Sequence, residues 1–468
     1  MDPVSPELVS AWCRGRWHVA PPPEPLRTLS TDSRQAQPGC LFFALKGAKA
    51  DGHDFLSAVA AAGACAVVRA DVPAEKLPVG GCFLRVDDVL TALGRFAAGY
   101  RATLPGRIVG VTGSVGKTST KELVADLLAT RGKTVRTAGN FNNEIGLPLS
   151  VAALERDCAF GVIEAGISHP GEMAPLRDVL MPDVAVMTEI GPVHVEFFDS
   201  VRAIAEEKAA LLEKLPADGF AVLDLDDAYF DVLRAHASAP VVTCSLKRRD
   251  ADYAADPQAD GKLWVCERAT GESVALPLPP PGGFMAENVL RAVAVARKCG
   301  ATWGAIETAL GHFRPVGMRW AVSDVGDWRA VNDGYNANPL SMRASLRAFA
   351  DWPAQGRKFL ALGPMLELGA REPAEHEALG RFVAAGRWAG VAVVPWKSAG
   401  GVPDAAAQAL ATGFRAGGGS ADKLCAASGP AEAAAWLRER LRPGDALLLK
   451  ASRGVRIETV LEALKKES

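Results

Sequence analysis

The 468-residue chain carries no surplus of either charge sign: 52 Lys and Arg stand against 54 Asp and Glu, a formal net charge of −2. Such a balance provides no global field to hold nucleic acid or an anionic membrane, so any anionic ligand must be captured by local devices. The nine cysteines (Cys13, Cys40, Cys65, Cys82, Cys158, Cys244, Cys266, Cys299 and Cys425) are odd in number, scattered and without a C-x-x-C pair. That pattern excludes a disulfide framework and a thiolate zinc site, and it suits a reducing compartment. No cationic segment followed by an apolar one opens the chain, and apolar runs such as Phe55 to Val68 fall short of the roughly 18–20 residues that cross a bilayer. The expectation is a cytoplasmic, monomeric protein with no membrane insertion. Internal repeats, low-complexity tracts, a Ser-His-Asp triad, a Cys-His pair and an H-E-x-x-H helix are likewise missing.

What is present is the composition of a multidomain globular protein. Hydrophobic residues make up 49% and charged residues 23%, and 46 Gly and 31 Pro punctuate the chain as turns do. At roughly 100–200 residues per domain the length predicts about three domains. Apolar strands alternate with amphipathic helices, which predicts an α/β fold built on parallel sheets. Three blocks emerge. Residues 1–105 form a small α/β domain with strands Cys40–Leu45, Ala66–Arg69 and Phe83–Val86. Residues 106–315 form a central doubly wound domain with strands Arg107–Thr112, Gly161–Glu164, Asp183–Thr188 and Phe220–Leu223, a rigid connector Leu276–Gly283 and a helix Ala286–Lys298. Residues 316–468 form a C-terminal Rossmann-like domain with strands Lys358–Leu362, Val391–Val394 and Ala446–Lys450.

The strongest local motif is Gly113-Ser114-Val115-Gly116-Lys117-Thr118-Ser119 between a strand and a helix. Glycines let backbone N–H groups curl toward a phosphate, the helix N-terminus adds positive potential, a lysine reaches the terminal phosphates and a hydroxyl can ligate magnesium. The spacing departs from the strict P-loop pattern, because Val111 stands six residues before Lys117. Glu164 ends the strand GVIE and His194 follows the strand DVAVMTEI, both at carboxyl edges where α/β ligand crevices form. Glu164 reads equally as a solvated strand-end carboxylate, while a loop histidine such as His194 is more often only a polar surface residue. Lys208 interrupts the helical stripe of Val201, Ile204, Ala205, Leu211, Leu212 and Leu215. Either its amine snorkels to water, or it is desolvated and reactive toward a small electrophile. Asp333, Asn336 and Asn338 stand before a helix they could cap, and Arg319 suits either an anion clamp or an interdomain salt bridge.

Taken in order, TDSR, PGCLFFALKGAKADGHDF, TGSVGKTSTKE, TAGNFNNEIGLP, VIEAGISHPGE, His194, Lys208, DGYNANP, LELG and KASR resemble the Mur ligase family over nearly the whole chain. DGYNANP resembles the branch that adds a D-alanyl-D-alanine dipeptide, and no D-N-P-R segment of the sister branch adding the third amino acid is present. The resemblance implies an ATP- and Mg²⁺-dependent carbon–nitrogen ligase of peptidoglycan precursor synthesis, joining D-alanyl-D-alanine to UDP-N-acetylmuramoyl-tripeptide through an acyl phosphate. A Mur-like nucleotide-binding regulator without ligase activity is the alternative. The resemblance also implies roles. Lys117 stabilises the transferring phosphate, Thr118 and Glu164 hold one magnesium, and His194 and a carbamylated Lys208 serve a second. Asn288, Arg319, Asp333 and Asn336 contact ATP, Asp32, Ser33 and Arg34 bind UDP, and Asn140, Asn142 and Asn143 form the substrate loop. The chain departs from the family pattern at Cys40, Phe284-Met285, Pro364 and Ala451, which implies an active enzyme with a retuned nucleotide pocket.

Overall fold

The computed structural model describes residues 1–396 and 404–466. Three sheets follow one another along the chain. The first contains β1 (Arg16–Trp17), β2 (Thr28–Ser30), β3 (Cys40–Phe43), β4 (Cys65–Arg69) and β5 (Cys82–Val86), in the order β1-β5-β4-β3-β2. All pairs are parallel except β1 with β5. The second contains β6 (Arg107–Thr112), β7 (Thr134–Arg136), β8 (Phe160–Glu164), β9 (Val184–Met187), β10 (Phe220–Asp224), β11 (Val241–Ser245), β12 (Tyr253–Pro257), β13 (Lys262–Glu267) and β14 (Glu272–Pro277), in the order β14-β13-β12-β11-β10-β9-β6-β8-β7. The third contains β15 (Ala321–Val325), β16 (Trp328–Asn332), β17 (Lys358–Leu362), β18 (Gly390–Val393), β19 (Leu424–Ala426) and β20 (Ala446–Lys450), in the order β15-β16-β20-β17-β18-β19.

The central strands are apolar because both faces of a parallel sheet are covered. Every residue of β8, β9 and β10 is buried. One face packs on the helices Lys117–Ala129 and Ala286–Lys298 through Val109, Val111, Leu123, Leu127, Val289 and Val293. The other face carries Ile108, Ile163 and Ala185 in a cluster that continues into the first domain through Leu93, Phe96 and Tyr100. The helix Val89–Arg101 thus bridges two sheets, with Tyr100 donating to the Leu154 carbonyl at 2.7 Å and Arg101 pairing with Asp183 at 2.8 Å.

The α/β architecture expected from the alternation is present, and Arg107–Thr112 and Ala286–Lys298 have the expected bounds. Two things differ. Residues 253–277 were not read as strands, yet β12, β13 and β14 are antiparallel neighbours that extend the central sheet. One face of β13 is wet: Lys262 and Trp264 are exposed while Leu263 and Val265 are buried, a period of two that short charged segments hide. For the same reason the connector is shorter than Leu276–Gly283, because Leu276 and Pro277 complete β14 and Gly282 opens a short 3₁₀ turn. The β15–β16 hairpin that opens the third sheet was also not anticipated.

Candidate active site

The site lies where the strand order of the central sheet reverses. β6 sits between β9 and β8, so the loops leaving the carboxyl ends of these strands splay apart and leave a crevice. The loop 113–116 leaves β6 there. Its two glycines have positive φ (+143° at Gly113, +89° at Gly116), and a Cβ at Gly113 would collide with the Thr188 side chain, while one at Gly116 would lie 2.6 Å from Asn288 Oδ1. The loop is pinned from the β9 side, where the Glu189 carbonyl accepts from Ser114 N (2.8 Å) and Val115 N (3.2 Å). The helix Lys117–Ala129 then starts with its free N–H groups facing the crevice. Lys117 Nζ donates to the carbonyls of Gly113 (2.8 Å) and Ser114 (3.4 Å). Burial lowers the pKa of this amine, Glu164 draws it back up and Arg319 pushes it further down.

Thr118 and Glu164 meet at this point, the hydroxyl donating to Oε2 at 2.7 Å, while Asn142 Nδ2 donates to Oε1 at 2.8 Å. Glu164 is buried and its backbone N–H donates to Thr137 Oγ1. Arg319 arrives from the segment before the third sheet: Nη2 donates to Thr118 Oγ1 at 2.8 Å and the guanidinium lies 3.6 Å over the Tyr335 ring. It thus crosses to the central domain through the Thr118 hydroxyl while stacking on a ring of its own domain.

Lys208 does not snorkel. It is 1% exposed on the helix Val201–Ala209, and Nζ has no hydrogen-bond partner. Burial and the nearby charge of Lys117 hold its pKa well below the ordinary value, against the pull of Glu207, Glu164 and Glu172. His194 has φ +53°, and Nδ1 lies 2.6 Å from Glu367 Oε2 of the third domain. The pair is an ion-pair contact that lacks the alignment of a hydrogen bond.

The crevice is a cleft of about 800 Å³. Of the residues singled out above, Ser114 through Ser119, Asn140, Asn142, Asn143, Glu164, His194, Asn288, Arg319, Asp333 and Asn336 all line it. Lys208 is not on its surface, and Asp32, Ser33 and Arg34 lie apart in the first domain, where Asp32 caps a short 3₁₀ turn and is forked by Arg34. Asp333 does not cap the following helix. Asn338 does, in a reciprocal capping box with Ser341, whereas the Asp333 carboxylate accepts from Lys450 Nζ (2.6 Å), Ser345 and the backbone of Trp320. Asn336 accepts from Ala337 N at 2.9 Å.

Several lining residues had no assigned role. Lys450 lies within KASR and Tyr335 within DGYNANP, so motif membership marked both. Glu189 and Arg291 gave no local signal. Burial and the carboxylates of Glu287, Asp227 and Asp224 raise the Glu189 carboxyl to about 7, with Arg291 opposing. Arg291, 2% exposed, bonds Asp224 at 2.6 Å and Glu287 at 3.3 Å. Met285 is buried with Sδ 3.9 Å from Asn288 Nδ2.

Among the described residues no three His, Cys, Asp or Glu side chains converge as a metal cluster. A magnesium ion needs less than that, because it keeps several waters and takes one or two protein oxygens plus substrate phosphates. The bonded Thr118–Glu164 pair suits such a cation, and the unpartnered amine of Lys208 suits conversion into an anionic ligand.

Sequence comparison places this geometry. Residues 25–101 match the model for the Mur ligase family catalytic domain, 111–296 the Mur ligase middle domain and 318–453 the Mur ligase glutamate ligase domain. UDP-N-acetylmuramoyl-tripeptide–D-alanyl-D-alanine ligase of Synechocystis sp. is 34% identical over 95% of this chain and 93% of its own length. The chain belongs to the Mur ligase family. Among solved members, a crystal structure of MurF from Acinetobacter baumannii superposes with a TM-score of 0.87 at 26% identity, over 100% of this chain and 99% of that one. MurF ligase from Thermotoga maritima, determined in complex with ADP, gives 0.79 at 29% identity over 94% and 97%. The three matched domains account for the three successive sheets.

Proposed function

We propose that this chain is the ATP-dependent ligase that joins D-alanyl-D-alanine to UDP-N-acetylmuramoyl-tripeptide in peptidoglycan precursor synthesis, releasing ADP and phosphate. The observation that carries the reading is the convergence of Lys117, Thr118 and Glu164 of the central sheet with Arg319 in one cleft. A carboxylate is a poor electrophile, so amide formation requires a leaving group on the acyl carbon. The tripeptide carboxylate oxygen attacks the γ-phosphorus of ATP, ADP departs, and the dipeptide amine then attacks the acyl phosphate carbon and expels phosphate. Lys117 is assigned to neutralise the transferring phosphoryl oxygens and Arg319 to add a second cation when the third domain closes; their shared place on the cleft wall supports this. Closure also keeps water from the acyl phosphate.

Thr118 and Glu164 would hold one magnesium, and His194 with a carbamylated Lys208 a second. Bound there, the ions supply charge neutralisation of the phosphates. Lys208 supports the carbamate because burial disfavours its ammonium form, which favours a nucleophilic amine toward CO₂, and the product anion answers its unpartnered state. Asn288, Asp333 and Asn336 are assigned to ATP, Asn140, Asn142 and Asn143 to the tripeptide end, and Asp32, Ser33 and Arg34 to UDP. Domains at 1–105, 106–315 and 316–468 divide these tasks. All nine cysteines are free, which supports a cytoplasmic location. No helix among the described residues is long and apolar enough to cross a membrane.

The test is phosphate release with UDP-N-acetylmuramoyl-tripeptide, ATP and magnesium, with and without D-alanyl-D-alanine, followed by mass detection of the pentapeptide. Absence of a dipeptide-dependent product refutes the assignment.

A further inference from the structure

Glu367 belongs to none of the roles above, yet its placement is unusual. It is the residue in the loop between β17 and the helix Glu372–Ala384 that reaches out of the third domain to His194. Both partners have positive φ, +63° for Glu367 and +53° for His194. Neither residue type adopts that backbone without cost, so surrounding contacts must hold it. Those contacts are visible on the Glu367 side. Met365 N donates to His376 Nε2 at 2.8 Å, which leaves His376 Nδ1 to donate to the Glu372 carbonyl at 2.6 Å. Leu366 N donates to Ser452 Oγ at 2.9 Å, and Ser452 N donates to the Pro364 carbonyl at 3.0 Å. Ser452 Oγ also donates to the carbonyl of Ala337, in the loop that carries Asp333 and Asn336. The loop is therefore tied to the segment facing the nucleotide. Two residues on, Gly369 has φ +53° and packs so closely on Glu196 that a Cβ would lie 3.3 Å from its Cα.

We propose that Glu367 is a positioning residue that couples domain closure to assembly of the second cation site. Its carboxylate lies 2.6 Å from Nδ1 of His194 across the domain boundary, and His194 lines the cleft. A carboxylate placed against one imidazole nitrogen constrains the ring's orientation. Because Glu367 belongs to the third domain and His194 to the loop after β9, the ring is oriented only while the two domains are together. Arg319 makes a parallel check on the first site through Thr118, so both halves of the phosphate machinery depend on the same closure.

The inference rests on His194 serving a cation, and the test separates it from the ligase reading. Mn²⁺ binding to the complex with a non-hydrolysable ATP analogue is measured by electron paramagnetic resonance for the wild type, Glu367→Gln, Glu367→Ala and Glu367→Asp, alongside steady-state ligation. Removing a carboxylate behind a metal-bound histidine typically costs 10–100-fold. The expected result is a loss of about that size in the weaker Mn²⁺ affinity and in kcat for the Gln and Ala variants. KM for the tripeptide should stay unchanged, and Asp should give partial recovery. Unchanged Mn²⁺ affinity in Glu367→Gln, which keeps the side chain's size, overturns the proposal whether or not the protein ligates. A wild type that binds two Mn²⁺ ions without making pentapeptide overturns the ligase reading alone.

Discussion

Replacing Lys208 is the perturbation in which folding and chemistry pull in opposite directions. Its amine is 1% exposed, unpartnered and displaced well below its ordinary pKa of 10.5. An unsatisfied buried polar group costs about 1–3 kcal/mol, and methionine of similar length removes that cost without opening a cavity. In bicarbonate-depleted buffer Lys208→Met should therefore be more stable than the wild type by about 1–3 kcal/mol or more. The sign of the pH dependence follows from the lowered pKa. Between the native value and 10.5 the unfolded chain binds a proton that the native state does not, so wild-type stability rises with pH through that window. The advantage of Lys208→Met is then greatest on the acid side and shrinks as pH approaches 10.5. Ligation should move the other way. Loss of an anionic ligand at the phosphate site resembles loss of one preorganised electrostatic group, about 10²–10³-fold in kcat. Lys208→Ala, which leaves room for a small acid, should recover part of the rate with added short carboxylates. Thermal unfolding against pH, pentapeptide formation and a carbamate carbon signal after ¹³C-bicarbonate are the measurements. Wild-type ligation by Lys208→Ala, or no gain in stability for Lys208→Met, would refute the reasoning.

Three further outcomes are expected. Arg319→Lys should behave as a severe variant, losing about 10²-fold in kcat, because an ammonium replaces neither the planar stack on Tyr335 nor the directed bond to Thr118; near-normal turnover would contradict the closed-site role. The Glu189 carboxyl, raised to about 7, binds a proton in the native state that the unfolded chain has already lost. Its contribution to stability is thus present below the ordinary carboxyl range and lost as pH rises through about 7. KM for ATP should climb over the same interval as a negative charge develops in the cleft, and Glu189→Gln should flatten both profiles in denaturant titrations and initial-rate assays. Gly369→Ala places a Cβ at φ +53° against Glu196 and should cost about 1–2 kcal/mol in the closed arrangement; small-angle scattering with bound nucleotide should show a more open molecule, and an unchanged profile would count against that contact as part of closure.

The chemistry of the site was legible where one short segment carries it. Gly113 to Thr118 follow a buried strand and open a helix, an order whose free backbone N–H groups suit an anion. Lys208 was visible as a break in an apolar stripe, but whether its amine reached water depended on what covered it. The helix packs in the core shared with Ile204, Leu211 and Leu212, leaving no path for the amine to solvent. Polar loops were the least legible. Asp333, Asn336 and Asn338 read alike as helix caps, yet only Asn338 caps, because Lys450 of β20 claims the Asp333 carboxylate from 117 residues away.

The sequence by itself therefore determined the α/β class, the strand–glycine loop–helix that opens onto the cleft, and the absence of any global charge to capture ligands, since these follow from local periodicity and composition. The tertiary structure alone decided which charges meet. The Arg319–Thr118 bond spans 201 residues, and Glu367 reaches His194 across a domain boundary. Pairings of that kind are settled by how the three sheets pack on one another, and no short-range pattern in the chain encodes that distance.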